Sequence, residues 1–302
     1  MVMNGFSKLI VARENPSANW EKDNNSIEVE SALMSSHELP VTVVPEVIVF
    51  VGIQRSGNHG LLNWIKGHGP ENSVHINSLD INSLDTKEFF TKLDEESELQ
   101  YSDRLMIGLK GREQIIISLE NYKLHTPDGI ENLHNFQKDT NATLVLLLRS
   151  PLNNIASIYK VTANNGAEAQ IDSTKVIRKL WHQYAKEFTD SKIKWDAKIL
   201  FDKWIIDRAY RNRMGKGIGF VNVDSDFNKI SGHGVSSFDL SARNSQEIDL
   251  EGRFLLFKED SVYTSIIRDE KMLEKWFTLA KSEGYSIPKI QTEYIHEQLR
   301  LV

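Results

Sequence analysis

Along the chain, short continuous apolar runs alternate with segments in which apolar positions recur every three or four residues. The runs at 47–52, 105–109, 114–119 and 144–148 are of strand length. The last of them, Leu144-Val-Leu-Leu-Leu148, has no polar interruption, as expected of a strand buried on both faces of a parallel sheet. Shorter strands are predicted at 73–76 and 198–201. Helical periodicity covers about 59–67, 86–93, 152–161, 174–188, 202–214 and 260–283, the last interrupted near Arg268-Asp-Glu. The two runs at 105–109 and 114–119 are separated by Lys110-Gly-Arg-Glu113, which suggests a hairpin between them. Before residue 45 the pattern weakens. Residues 15–40 are polar and read as a loose arm, with one edge-strand candidate at 8–12. The expected organisation is an N-terminal arm over 1–45 followed by a single α/β domain over 46–302. That domain is expected to be a doubly wound α/β fold with a mainly parallel sheet flanked by helices, its ligands at the carboxyl ends of the strands.

Composition narrows the function classes. The 302 residues are 40% hydrophobic and 26% charged, with a formal net charge of −6. An acidic chain argues against nucleic acid or an anionic membrane surface as the main partner, so any anion site must be local. There is no cysteine, which excludes disulfides and thiolate chemistry. No His/Asp/Glu spacing suggests a metal site. The first 45 residues lack the apolar core of a signal peptide, and cytoplasmic residence is the default expectation. Trp64, Trp181, Trp204 and Trp276 lie in apolar-periodic segments and read as core residues.

The candidate chemistry begins where the first strand stops. Gly52-Ile-Gln-Arg55-Ser56-Gly57-Asn58-His59 is a glycine-bounded turn between a strand and a helix. Amide groups unpaired at the helix start, aided by the helix dipole, suit an anion. The spacing of Gly52 and Gly57 matches the start of a Walker A loop, but Asn58-His59 stands where a nucleotide hydrolase needs Lys and then Ser or Thr. The loop is therefore expected to hold a phosphate group without metal-assisted γ-phosphoryl transfer. A second junction, Arg149-Ser-Pro-Leu-Asn-Asn-Ile-Ala-Ser157, has an arginine at the strand end and a serine eight residues later on the following helix. A guanidinium forks onto phosphate oxygens and a serine hydroxyl adds a neutral hydrogen bond.

The two motifs, in this order, resemble the cofactor signatures of sulfotransferases that use 3′-phosphoadenosine 5′-phosphosulfate (PAPS), which implies a three-layer, P-loop-like α/β fold with a mainly parallel sheet flanked by helices. The resemblance spans roughly residues 46–285, with weaker similarity at 200–211, 217–219 and 234–238 to small bacterial or viral sulfotransferase-like proteins. It implies that Arg55, Ser56, Gly57, Asn58 and His59 hold the 5′-phosphosulfate and that Arg149 and Ser157 hold the 3′-phosphate. The lysine common in the first loop of the cytosolic enzymes is Arg55 here, and the C-terminal Arg-Lys-Gly motif is replaced by Glu251-Gly-Arg253-Phe254, making Arg253 a candidate for the 3′-phosphate. Arg55 is the expected stabiliser of the leaving group. The family places a His or Glu at the end of a strand following the loop's helix, which selects Glu120 as general base, with His59 and Glu113 as alternatives. No metal is implied.

The implied activity is sulfuryl transfer to a hydroxyl of a polar small-molecule or saccharide acceptor. Two other readings stand beside it: a degenerate P-loop kinase or NTPase, and a sulfotransferase-like protein that binds a nucleotide or glycan without chemistry. The acceptor is expected among segments 124–135, 162–171 and 232–247. The sequence is silent on oligomeric state.

Overall fold

The computed structural model describes residues 45–77, 79, 81, 98–102, 105–108, 112–220, 249 and 251–300. The expectations for the arm over 1–45, the strand at 8–12, the helix at 86–93 and the segments at 232–247 and 234–238 lie outside the described residues.

Seven strands and the helices that follow them carry the fold of this part. In chain order they are β1 (Glu46–Gly52), α1 (Asn58–His68), β2 (Ser73–Asn77), β3 (Glu98–Ser102), β4 (Leu105–Gly108), β5 (Gln114–Glu120), α2 (Pro127–Thr140), β6 (Thr143–Leu148), α3 (Pro151–Thr162), α4 (Ala167–Thr189), β7 (Ala197–Leu200), α5 (Phe201–Ile206), α6 (Arg208–Ile218), α7 (Ser261–Ile267), α8 (Glu270–Ser282) and α9 (Lys289–Arg300). A 3-10 segment, Arg253–Phe257, precedes α7.

Five strands form one parallel sheet in the order β2-β5-β1-β6-β7, flanked by helices. The first strand is central. The chain leaves it for the β2 edge, returns to β5, then crosses to β6 and β7. The carboxyl ends of β5, β1 and β6 are thereby adjacent at a topological switch point, where parallel α/β sheets bind ligands. The central strands are apolar because both faces are covered. Ile48, Val49 and Val51 in β1, Ile115–Ile117 in β5 and Leu144–Leu148 in β6 are 0% exposed. Each such side chain contributes about 1.5–3 kcal/mol by leaving water. Edge strand β2 is only half-buried and correspondingly carries Ser73, His75 and Asn77. The four tryptophans read as core are all at or below 1% exposure.

Two expectations are corrected, and one C-terminal helix is added to them. The run at 105–109 does not form a hairpin with 114–119: β4 pairs antiparallel with β3, while β5 lies inside the main sheet between β2 and β1. The helix expected at 202–214 is two helices, because Asp207 ends α5 and its side chain accepts the Tyr210 amide to cap α6. Finally, α9 has no counterpart in the sequence reading. The break near residue 268 is present, with Asp269 capping α8 through the Met272 amide. Among the described residues no helix is long and apolar enough to cross a membrane.

Candidate functional site

The loop after β1 is shaped by its glycines. Gly57 has φ +100, and a Cβ there would overlap the Phe201 ring at the start of α5. A Cβ on Gly52 would meet the Asn58 side chain. Arg55 is itself left-handed, with φ 66, an uncommon conformation for a residue with a side chain. This turn sets the start of α1 against the carboxyl edge of the sheet. The amides that open α1 have no intrahelical acceptor.

The second junction closes on the first. From the end of β6, the Arg149 guanidinium donates through Nη1 to the Arg55 carbonyl at 3.2 Å and lies over the Phe201 ring with Cζ 5.3 Å from its centroid. Trp181 Nε1 donates to the Arg149 carbonyl at 2.9 Å, fixing the backbone. One turn along α3, Asn154 Nδ2 donates to the Gln54 carbonyl at 2.9 Å and to Ser56 Oγ at 3.2 Å. Ser157 Oγ accepts from Arg55 Nε at 3.4 Å. Arg55, Arg149 and Ser157 are therefore together, at the shared edge of β1 and β6. Arg253, 5% exposed, joins them electrostatically and is held by its Nε donating to the Asp249 carbonyl at 2.6 Å.

Three arginines are close enough here to act on one another electrostatically, with Asp202 and Glu120 opposing them. The Arg149 guanidinium, 3% exposed, is pushed down to about 10 by burial and by the Arg253 and Arg55 charges, against the opposing pull of Asp202 and Tyr285. Burial also lowers Arg55, while the Glu120 carboxylate acts in the opposite direction. Two of the Arg149 nitrogens, Nε and Nη2, are buried and have no hydrogen-bond partner among the described residues. Buried donors of a cation left without acceptors are costly unless an anion meets them. A phosphate supplies that match: negative charge and several acceptor oxygens in a fork-compatible arrangement.

Glu120 stands directly beside this cluster, because parallel pairing sets it opposite Gly52. Its Oε1 accepts from Asn58 Nδ2 at 2.6 Å, and the same nitrogen donates to the Ile53 carbonyl at 3.3 Å. The Asn58 side chain is thus turned under the loop towards Glu120, and the buried Ser56 hydroxyl is turned towards Asn154. His59 is exposed at the start of α1. Glu113, the alternative carboxylate, precedes β5 at its amino end, a strand's length of about 20 Å from Glu120, and cannot serve the same centre. Beside Glu120 a cleft of about 580 Å³ is lined by Leu119, Asn121, Lys123, Thr126 and Asn132 among others. Asn121, left-handed at φ 58, is held there by its Oδ1, which accepts the Gln54 amide at 2.9 Å.

Several contributors were not singled out from sequence. Asn154 is one of them; it lies three residues before Ser157 on the same helix, so their shared face was a usable signal. Asp202, 2% exposed, follows the carboxyl end of β7; its Oδ2 accepts the Ser150 amide at 2.7 Å and its charge faces Arg149. A third strand-to-helix junction on one sheet edge could have pointed to it. Gln291 in α9 accepts from Ser150 Oγ at 3.3 Å and donates to the Glu251 carbonyl at 3.3 Å, tying the second junction to the Arg253 segment. Among the described residues no group of three or more His, Asp or Glu side chains is placed to hold a metal ion.

No protein-family model matches the chain, and no curated protein matches it. Among solved structures, it is similar to the sulfotransferase domain from the Synechococcus PCC 7002 olefin synthase, at 12% identity and a TM-score of 0.39 over 82% of this chain and 98% of that one. It is also similar to the sulfotransferase domain from the curacin biosynthetic pathway, at 12% identity and a TM-score of 0.38 over 81% of this chain and 99% of that one.

Proposed function

We propose that this protein is a sulfotransferase that moves a sulfuryl group from PAPS to a hydroxyl of a polar acceptor. The observation that carries the reading is the buried Arg149, with two unpartnered nitrogens, linked to the glycine-bounded loop and flanked by Arg55, Ser157 and Arg253. Two phosphate-type motifs far apart in sequence converge on one sheet edge, as a ligand with phosphates at two ends requires.

In this reading Arg149, Ser157 and Arg253 receive the 3′-phosphate. The amides opening α1 and the Arg55 guanidinium receive the 5′-phosphosulfate. The acceptor hydroxyl enters the cleft beside Glu120. Its oxygen forms a bond to sulfur as the bond from sulfur to the bridging oxygen breaks in line, and its proton passes to Glu120. The electron pair of the broken bond stays on the departing phosphate, giving 3′,5′-bisphosphoadenosine. Arg55 stabilises charge that grows there in the transition state. Asn58, bonded to Glu120 and to the loop, fixes the carboxylate relative to the donor.

Incubation with sulfur-labelled PAPS and a panel of hydroxylated acceptors tests the reading. The expected result is label on an acceptor with an equal release of bisphosphate. Glu120→Gln should lower turnover by about 10²–10⁴-fold while leaving donor affinity within about twofold. Donor binding with no label transferred to any acceptor would replace catalysis by nucleotide binding alone.

A further inference from the structure

The geometry points to a second, cationic subsite along the acceptor path, suited to the anionic group of an extended hydroxylated acceptor such as an acidic oligosaccharide. It is a cleft of about 650 Å³ between α2 and the turn after α4. Calling its occupant an acceptor rests on the sulfuryl-transfer reading; the binding itself does not.

One wall is a face of α2. Glu131, His134 and Lys138 follow one another at spacings of three and four residues and line the cleft together. The other walls are His125 and Thr126, which lead into α2, and Lys192. Thr126 also lines the cleft beside Glu120, so the two spaces adjoin. From Asp128, in the first cleft, to Lys138, in the second, the helix rises about 15 Å, a span that calls for an oligomeric rather than a single-ring ligand.

Hydrogen bonds within the protein hold the backbone that carries these exposed side chains. Glu187, fully buried, accepts the backbone amides of Lys192 at 2.8 Å and Ile193 at 2.9 Å and the Trp195 indole at 3.0 Å. That carboxylate holds the turn that presents Lys192. Where the two clefts adjoin, Thr126 donates to the Lys123 carbonyl at 2.9 Å, and Tyr122, in the cleft beside Glu120, donates its hydroxyl to the Gly129 carbonyl at 2.8 Å. Lys138 and Lys192 make no ion pair among the described residues, and Glu131 is the single acidic lining residue. In a chain of net charge −6, two unpaired lysines facing one polar cleft are a local reversal of sign. The imidazoles and the Thr126 hydroxyl supply donors and acceptors for sugar hydroxyls.

The test is calorimetric titration of the full chain with three probes. These are a hexasaccharide of alternating uronic acid and N-acetylhexosamine, its carboxyl-reduced counterpart, and an O-sulfated form of the reduced probe. The wild type is expected to bind both anionic probes about tenfold more tightly than the reduced one. The double variant Lys138→Gln, Lys192→Gln should lose that preference with its 3′,5′-bisphosphoadenosine affinity unchanged, and Glu131→Gln should increase the preference. Equal binding of charged and reduced probes, no binding of any probe, or an undiminished preference in the double variant would overturn the subsite. A charge preference in a protein that fails to bind the bisphosphate would leave the subsite standing and remove the sulfuryl-transfer reading instead.

Discussion

Arg149 concentrates the chemistry of the site in one side chain. Its guanidinium is buried, crowded by two other arginines and only partly bonded within the protein. Truncation to Ala should weaken 3′,5′-bisphosphoadenosine binding by about 10–100-fold, the worth of charge-assisted hydrogen bonds. Arg149→Lys keeps the charge but not the fork, and should recover only part of the loss. Calorimetry reads both, with the unfolding midpoint of each variant measured alongside, and unchanged affinity in the Ala variant would remove the second motif from the site. At this scale the sequence was informative about Arg55, Arg149 and Ser157, because a strand end followed by a fixed helical spacing places side chains reliably. It was uninformative about Asn58 reaching Glu120, since that contact joins residues 62 apart and depends on the register of β1 against β5.

Elements position these residues through backbone constraints that single substitutions can break. Gly57→Ala must strain a φ of +100 and drive a methyl group into the Phe201 ring. We expect a loss of about 1–3 kcal/mol in denaturant unfolding and loss of bisphosphate binding; stability and binding both at wild-type levels would contradict the loop geometry. The β2–β5 pair carries a pH-sensitive element. Ser118 Oγ donates to Asn77 Oδ1 at 2.9 Å and lies 2.8 Å from His75 Nε2, so the imidazole is the donor to Ser118 in its neutral form. Burial, with the Lys66 and His59 charges, pushes His75 down to about 3. The unfolded chain, with an ordinary histidine near 6.5, then binds the proton more readily. Stability should fall as pH drops from about 6.5 towards 3, by at most about 1.4 kcal/mol per pH unit from this group. Urea unfolding of wild type and His75→Gln across that range checks it: the variant should lose this slope, and parallel curves would contradict it.

Element-level legibility followed burial. β1 and β6 were plain because strands covered on both faces are uniformly apolar. β5 has the same signature in Ile115–Ile117, yet the glycine-containing segment before it mimicked a hairpin turn. The break at Asp207 was hidden because Trp204 and Tyr210 both reach the core on either side of it. α9 was missed because two of its buried positions, Gln291 and Gln298, are polar, which erases the apolar stripe that marks a packed helix.

For the whole molecule, an acidic chain gathers three guanidiniums at one edge of a parallel sheet. The loop after β1 contributes Arg55, the turn after β6 contributes Arg149, and the segment before α7 contributes Arg253, with α9 bracing the last two through Gln291. An anion would relieve their mutual repulsion, and guanidinium donors meet a phosphate directly, without a bridging metal ion. The account therefore predicts metal-independent recognition of a 3′,5′-bisphosphorylated nucleoside. Calorimetric titration with 3′,5′-bisphosphoadenosine and with ATP·Mg²⁺, each with and without EDTA, tests this most directly. Tight bisphosphate binding unaffected by EDTA, with weak ATP binding, is the result the account predicts. Absence of bisphosphate binding, or ATP binding that depends on Mg²⁺, would contradict it.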